Sequence, residues 1–67
     1  MDFLNKKTIF KNKNICVTML TDVMSGDFFY IVKTSILGDL KKEILKDIQG
    51  LEEKDAIETL KNKLKNF

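Results

Sequence analysis

Two carboxylates, Asp22 and Asp27, flank Ser25-Gly26 at a spacing that a hairpin would bring together. Paired carboxylates can do acid–base work or hold a divalent ion. Two aspartates without further ligands make a poor ion site, and Asp is a common turn residue, so the pair is expected to be structural. Cys16 is the only cysteine and the chain has no histidine. A thiol nucleophile needs an activating base, and a cysteine in the middle of a strand more often acts as a small hydrophobe. One cysteine also provides neither a disulfide framework nor a zinc cluster. The three glycines, Gly26, Gly38 and Gly50, stand too far apart to form a phosphate-cradling loop. The expectation is a chain with no catalytic residues, no metal, no cofactor and no small-molecule substrate.

The remaining charge chemistry belongs to lysine. All 12 basic residues are lysines, and the formal net charge is only +2. Lys6, Lys7, Lys11 and Lys13 cluster near one end of the sequence, and Lys61, Lys63 and Lys65 near the other. These seven are the candidate phosphate contacts, should the fold bring the two ends together. The stretch 39–58 between them is rich in Asp and Glu. Arginine, which supplies bidentate base and phosphate contacts, is absent. The aromatic residues lie mainly in "FFY" (28–30) and not among the lysines, so no base-stacking platform is indicated. The abundance of Lys, Asn and Ile reads as AT-rich coding, which weakens an argument from lysine number alone.

Positioning falls to one small α+β domain spanning 1–67. A chain of 67 residues buries only about 60% of its unfolded surface, so its own core is marginal. Residues 1–34 are rich in Ile, Val, Thr, Phe and Tyr, which suit a pleated sheet. Three strands are expected at 6–11, 14–23 and 28–34, with turns in "KNKN" (11–14) and "MSGD" (24–27). Leu37, Leu40, Ile44, Ile48 and Leu51 then recur at helical spacing, as do Ile57, Leu60, Leu64 and Phe67. Asp39 competes with Thr34 and Ser35 as the first N-cap, because Gly38 delays the helix, and Gly50 is a stop signal. Acidic residues open the second helix and lysines close it, complementing its dipole. The fold class is α+β: a three-stranded antiparallel meander followed by two helices packed on one face (βββαα).

The strand "FFYIV" (28–32) is apolar on both sides, whereas a strand with one wet face should alternate. With Ser25-Gly26 as a two-residue loop, Leu20 would face Ile31 and Met19 would face Val32. One face then carries Ile15, Val17, Met19, Val23, Phe28, Tyr30 and Val32, and the helices should cover it. The other carries Cys16, Thr18, Leu20, Asp22, Phe29, Ile31 and Lys33. A first turn at Asn12-Lys13 would add Ile9 beside Cys16. The expected interaction patch is therefore Ile9, Leu20, Phe29 and Ile31, with Cys16 between them. Cover by residues 1–5, including Phe3 and Leu4, is the simpler alternative to a partner.

The stretch "FFYIVKTSILGDLKKEILKDIQGLEEKDAIETLKNKL" runs strand, helix, Gly-Leu, helix. That order resembles ribbon-helix-helix DNA-binding dimers over just over half of the chain. The resemblance implies a nucleic-acid-binding regulator. It departs from that family in the strand, which offers only Lys33 where those proteins expose polar and basic side chains, and in the hairpin before it. The leading expectation is non-enzymatic: a small interaction protein of the inhibitor, adaptor or regulator kind, such as phages and mobile elements carry. It would bind another macromolecule, most simply as a homodimer through Leu20, Phe29 and Ile31. The opening "MDFLNKKTIF" lacks an apolar signal-peptide segment and no apolar run reaches membrane-spanning length, so the expected compartment is the cytoplasm and no membrane partner is expected.

Overall fold

The computed structural model describes residues 4–65. Its elements are β1 (Leu4–Lys11), β2 (Ile15–Asp22), β3 (Phe28–Thr34), α1 (Leu40–Ile48) and α2 (Glu53–Lys63). The strands form an antiparallel meander in the order β1-β2-β3. Both helices pack on one face of it, α1 over β3 and α2 over β1. The core joins Ile15, Val17, Tyr30 and Val32 of the sheet to Leu40, Ile44, Ile48, Ala56, Leu60 and Leu64 of the helical half. No helix among the described residues is long and apolar enough to cross a membrane.

The β2–β3 loop is longer than the two residues expected. The Asp22 N–H donates to the Asp27 carbonyl at 2.7 Å, and the Gly26 N–H to the Asp22 carbonyl at 2.7 Å. Residues 23–26 therefore form the loop, with Gly26 at φ 81° closing it in the left-handed region that favours glycine. Leu20 consequently faces Phe29, and Met19 faces Tyr30, two positions from the expected register. Because side chains alternate with period two, a slip of two leaves every strand residue on its expected face. Val23 leaves the strand for the loop and is half-exposed instead of joining the core.

The β1–β2 hairpin departs from expectation in a way that matters more. The turn does not lie at Asn12-Lys13, because the Asn12 N–H donates to the Ile15 carbonyl and Lys11, not Ile9, faces Cys16. Phe10 faces Val17, but beyond that point Thr8 faces Thr18, so Ile9 is an extra residue in β1. This β-bulge bends the strand and turns Ile9 out of the alternation. Ile9 and Phe10 both pack against the helix-side core. Ile9 is thus not part of the outer face where the sequence pattern placed it. The turn itself is held by Asn12, whose Oδ1 accepts the N–H groups of Asn14 and Ile15 at 2.9 and 2.8 Å.

The helices also correct the sequence reading in detail. Gly38, at φ 103°, sends the chain away from helical geometry, and α1 begins only after Asp39. Thr34 caps no helix, since its Oγ1 accepts the Ile36 N–H at 3.0 Å. Leu37 is therefore not on the α1 stripe and is 94% exposed. In α2 the buried line is Ala56 and Leu60, continued by Leu64 just past the helix end, while Ile57 is only partly buried outside the core cluster. Phe67 lies outside the described residues. The Tyr30 hydroxyl donates to the Leu51 carbonyl at 2.6 Å, tying β3 to the α1–α2 connection.

Candidate interaction surface

With the helices on one face, the opposite face of the sheet is set by alternation alone. Read across the three strands, its rows are Lys11–Cys16–Lys33, Thr8–Thr18–Ile31 and Lys6–Leu20–Phe29, and Leu4 then faces Asp22. Leu20 is only 5% exposed, although it lies outside the helix-side core cluster. Its cross-strand neighbours are the Lys6 stem and the Phe29 ring, groups that can cover it laterally. Phe29 is 51% exposed and Ile31 39%, and Leu4 adds a third partly open apolar side chain. Leu20, Phe29 and Ile31 thus come together as expected, without Ile9. Leu4 joins them as a strand residue and not as a lid, and Phe3 lies outside the described residues.

The lysines do not form one surface. Lys6 and Lys11 rim the outer face beside Lys33, whereas the bulge leaves Lys7 opposite Met19 on the helix side. There the Lys7 Nζ pairs with Glu53 at 2.7 Å. Lys63 pairs with Asp47 at 2.8 Å. That hydrogen bond is the main reason the Lys63 ammonium is held above its ordinary value; desolvation opposes it, and the charges of Asp47 and Glu43 add to it. Two of the seven candidate phosphate contacts are thus neutralised within the chain. Lys61 lies on α2 near Lys54 and Glu58, and Lys65 is exposed beyond the helix. Lys11, Lys13 and Lys33 do converge on a shallow open depression of about 380 Å³ at the β1–β2 turn.

The remaining polar candidates have structural duties. Asp22 Oδ1 accepts the Met24 N–H at 2.9 Å and Ser25 Oγ accepts the Asp27 N–H at 3.2 Å, both within the hairpin loop. Among the described residues no three His, Cys, Asp or Glu side chains come close enough to hold a metal ion. Cys16 is half-buried in the lysine row. Burial pushes the Tyr30 phenol above its ordinary value, and the charges of Glu53 and Glu52 raise it further. Its ring meets Phe28 edge-on, with centroids 5.7 Å apart.

One cleft lies at the border between the two faces. Phe28, Phe29 and Tyr30 of β3, with Leu45, Gln49 and Gly50 around the end of α1, enclose about 300 Å³. Sequence reasoning found neither this cleft nor the exposure of Leu37. The Gly38 that follows Leu37 was the available signal that the apolar periodicity breaks there. In comparisons with known proteins, no family model, no curated protein and no solved structure matches the chain.

Proposed function

We propose that this chain is a non-enzymatic binding module of the cytoplasm, acting as a regulator, inhibitor or adaptor by docking its outer sheet face on another protein. One observation carries the reading. Phe29 and Ile31 stand open on the face that neither helix covers, around a Leu20 that is already nearly dry. Exposed apolar residues scattered singly need no explanation, but a contiguous group around a dry centre is the usual anatomy of a protein-binding patch. Lys6, Lys11 and Lys33 along the rim favour a partner surface that is apolar at its centre and acidic around it. Self-association as a homodimer belongs to the same reading, since a core this small gains from a partner.

The test compares the wild type with Phe29→Lys as bait in affinity capture from the native host, both checked for native circular dichroism. A protein held by the wild type and lost with the folded Phe29→Lys supports the docking face. Equal capture by both places binding elsewhere. A second reading, nucleic-acid binding, rests on the convergence of Lys11, Lys13 and Lys33 at the turn. It requires an affinity for DNA or RNA fragments that falls steeply with salt, roughly one logarithmic unit per logarithmic unit of salt for each phosphate contact.

A further inference from the structure

The outward edge of β3 is an open row of backbone groups. The Asp22–Asp27 and Asn14–Ser35 backbone bonds fix which pairs in the β2–β3 ladder are hydrogen-bonded. Between them every second pair repeats the pattern: Leu20–Phe29, Thr18–Ile31 and Cys16–Lys33. The backbone groups of Phe28, Tyr30, Val32 and Thr34 therefore point away from β2. No backbone group of the described residues outside the strand meets them. The edge is regular over the whole strand, without bulge or proline, and carries a single lysine, Lys33. Such an edge accepts an added strand.

We infer that a second copy of this chain adds its β3 antiparallel to β3, centred on Ile31, and seats its Leu37 in the cleft between β3 and the end of α1. The register follows from the open groups. Centring on Ile31 pairs Tyr30 with the second copy's Val32, and Phe28 with its Thr34, and the reverse by symmetry. Every outward-pointing backbone group of both strands then has a partner, and a shift in either direction leaves some unpaired. On the outer face the same register sets Ile31 against Ile31 and Phe29 against Lys33 of the second copy. An ammonium group can lie over the ring there, and its stem against the apolar patch.

Charge and shape favour a second copy over an unrelated strand. The start of β3 is acidic, with Asp22 and Asp27 bonded at the loop, and its end is basic at Lys33. Antiparallel self-pairing sets the acidic end of one copy beside the basic end of the other. The second copy's Thr34 arrives at Phe28, and its chain runs on three residues to Leu37 beside a cleft lined by Phe28, Tyr30 and Leu45. Leu37, the most exposed large apolar side chain among the described residues, thereby gains an apolar seat. The symmetry is isologous, so both clefts fill together. The union is a six-stranded sheet whose outer face joins two copies of the Leu20, Phe29 and Ile31 patch.

This inference deepens the binding-module reading and rests on it for the purpose of the joined face. Sedimentation equilibrium of the full chain tests it through a residue that the single chain does not need. The wild type should weigh as two chains at micromolar concentration. Leu37→Asp should halve that mass while keeping the native circular dichroism, because the side chain contributes no packing within its own chain. A wild type that stays one chain to near-millimolar concentration overturns the inference, and so does a Leu37→Asp that remains two chains. If the wild type is monomeric yet still captures a partner through Phe29, strand addition fails and the docking face stands. If it is dimeric but Phe29→Lys captures as the wild type does, the docking face fails and strand addition stands.

Discussion

The two edges of the sheet are built to opposite specifications. β1, "LNKKTIFK", carries Lys6, Lys7 and Lys11, is bulged at Ile9, and has one of its lysines tied to α2 through Glu53. β3, "FFYIVKT", keeps one register along its length and carries one lysine. Charges, bulges and covering helices are the devices that keep a sheet edge from recruiting another strand. The bulge also lets Ile9 join Phe10 against the helix-side core, so the guarded edge is anchored beneath as well. One edge of the sheet thus carries features that disfavour strand addition, while the other keeps apolar side chains and open backbone groups together. That difference is the reason the association proposed above is assigned to the β3 side.

The severest way to erase the contrast is to remove the layer on which both edges rest. Leu60 is fully buried under the sheet. Leu60→Ala should cost about 2–5 kcal/mol in urea unfolding. That is a large share of the stability of so small a domain. A cost below about 0.5 kcal/mol would mean that α2 does not anchor the sheet. A milder way is to guard β3 as β1 is guarded. Phe29→Lys combined with Ile31→Lys alters two exposed side chains, so the far-ultraviolet spectrum should stay native. In the β3–β3 register the new charges stand opposite Lys33 or opposite each other across the seam, so self-association should weaken by about tenfold or more. Unchanged association would place the interface elsewhere.

Smaller effects sharpen the comparison at the points where each edge is tied to the helices. Tyr30→Phe removes the hydroxyl that donates to the Leu51 carbonyl and should cost about 0.5–1.5 kcal/mol at neutral pH. The folded chain holds the phenol proton more tightly than the unfolded chain, because the phenol is raised above 10.0 by burial and by Glu53 and Glu52. Its contribution is therefore complete below pH 10.0 and is lost as pH rises through the folded value. Tyr30→Phe should lose stability less steeply above pH 10.0 than the wild type, as measured by unfolding at successive pH values. The weakest tie is Lys7–Glu53, whose partners are both partly exposed. Lys7→Ala should cost about 0.2–1 kcal/mol at low salt, and less as salt is added.

Much of the fold was legible because its signals are periodic. The face assignment of β2 and β3 survived a misjudged loop length, since Gly26 closes a loop longer by two residues and the alternation has period two. The bulge was illegible because Ile9 and Phe10 together read as ordinary alternation with a neighbouring apolar residue. Only the pairing with Thr18 and Val17 shows the extra residue. Leu37 continued the apolar spacing of α1 on paper, but the backbone at Gly38 is not helical. In α2 the spacing placed Ile57 on the buried stripe with Leu60, whereas the helix turns Ala56 inward. At the candidate site the apolar triad of Leu20, Phe29 and Ile31 was visible in the residues. The open β3 edge was not, because backbone groups have no letter in the sequence.

Amide hydrogen exchange, followed residue by residue across protein concentration, puts the central contrast to its most direct test. The amides of Phe29, Ile31 and Lys33 point to β2 and should be protected at every concentration at which the chain is folded. Those of Phe28, Tyr30, Val32 and Thr34 point outward and should exchange quickly in dilute solution. They should then become protected together as concentration rises through the micromolar range, while the outward edge of β1 stays fast. Outward β3 amides that remain fast in a demonstrably associated sample, or β1 amides that slow in their place, would contradict an open β3 edge as the seat of binding.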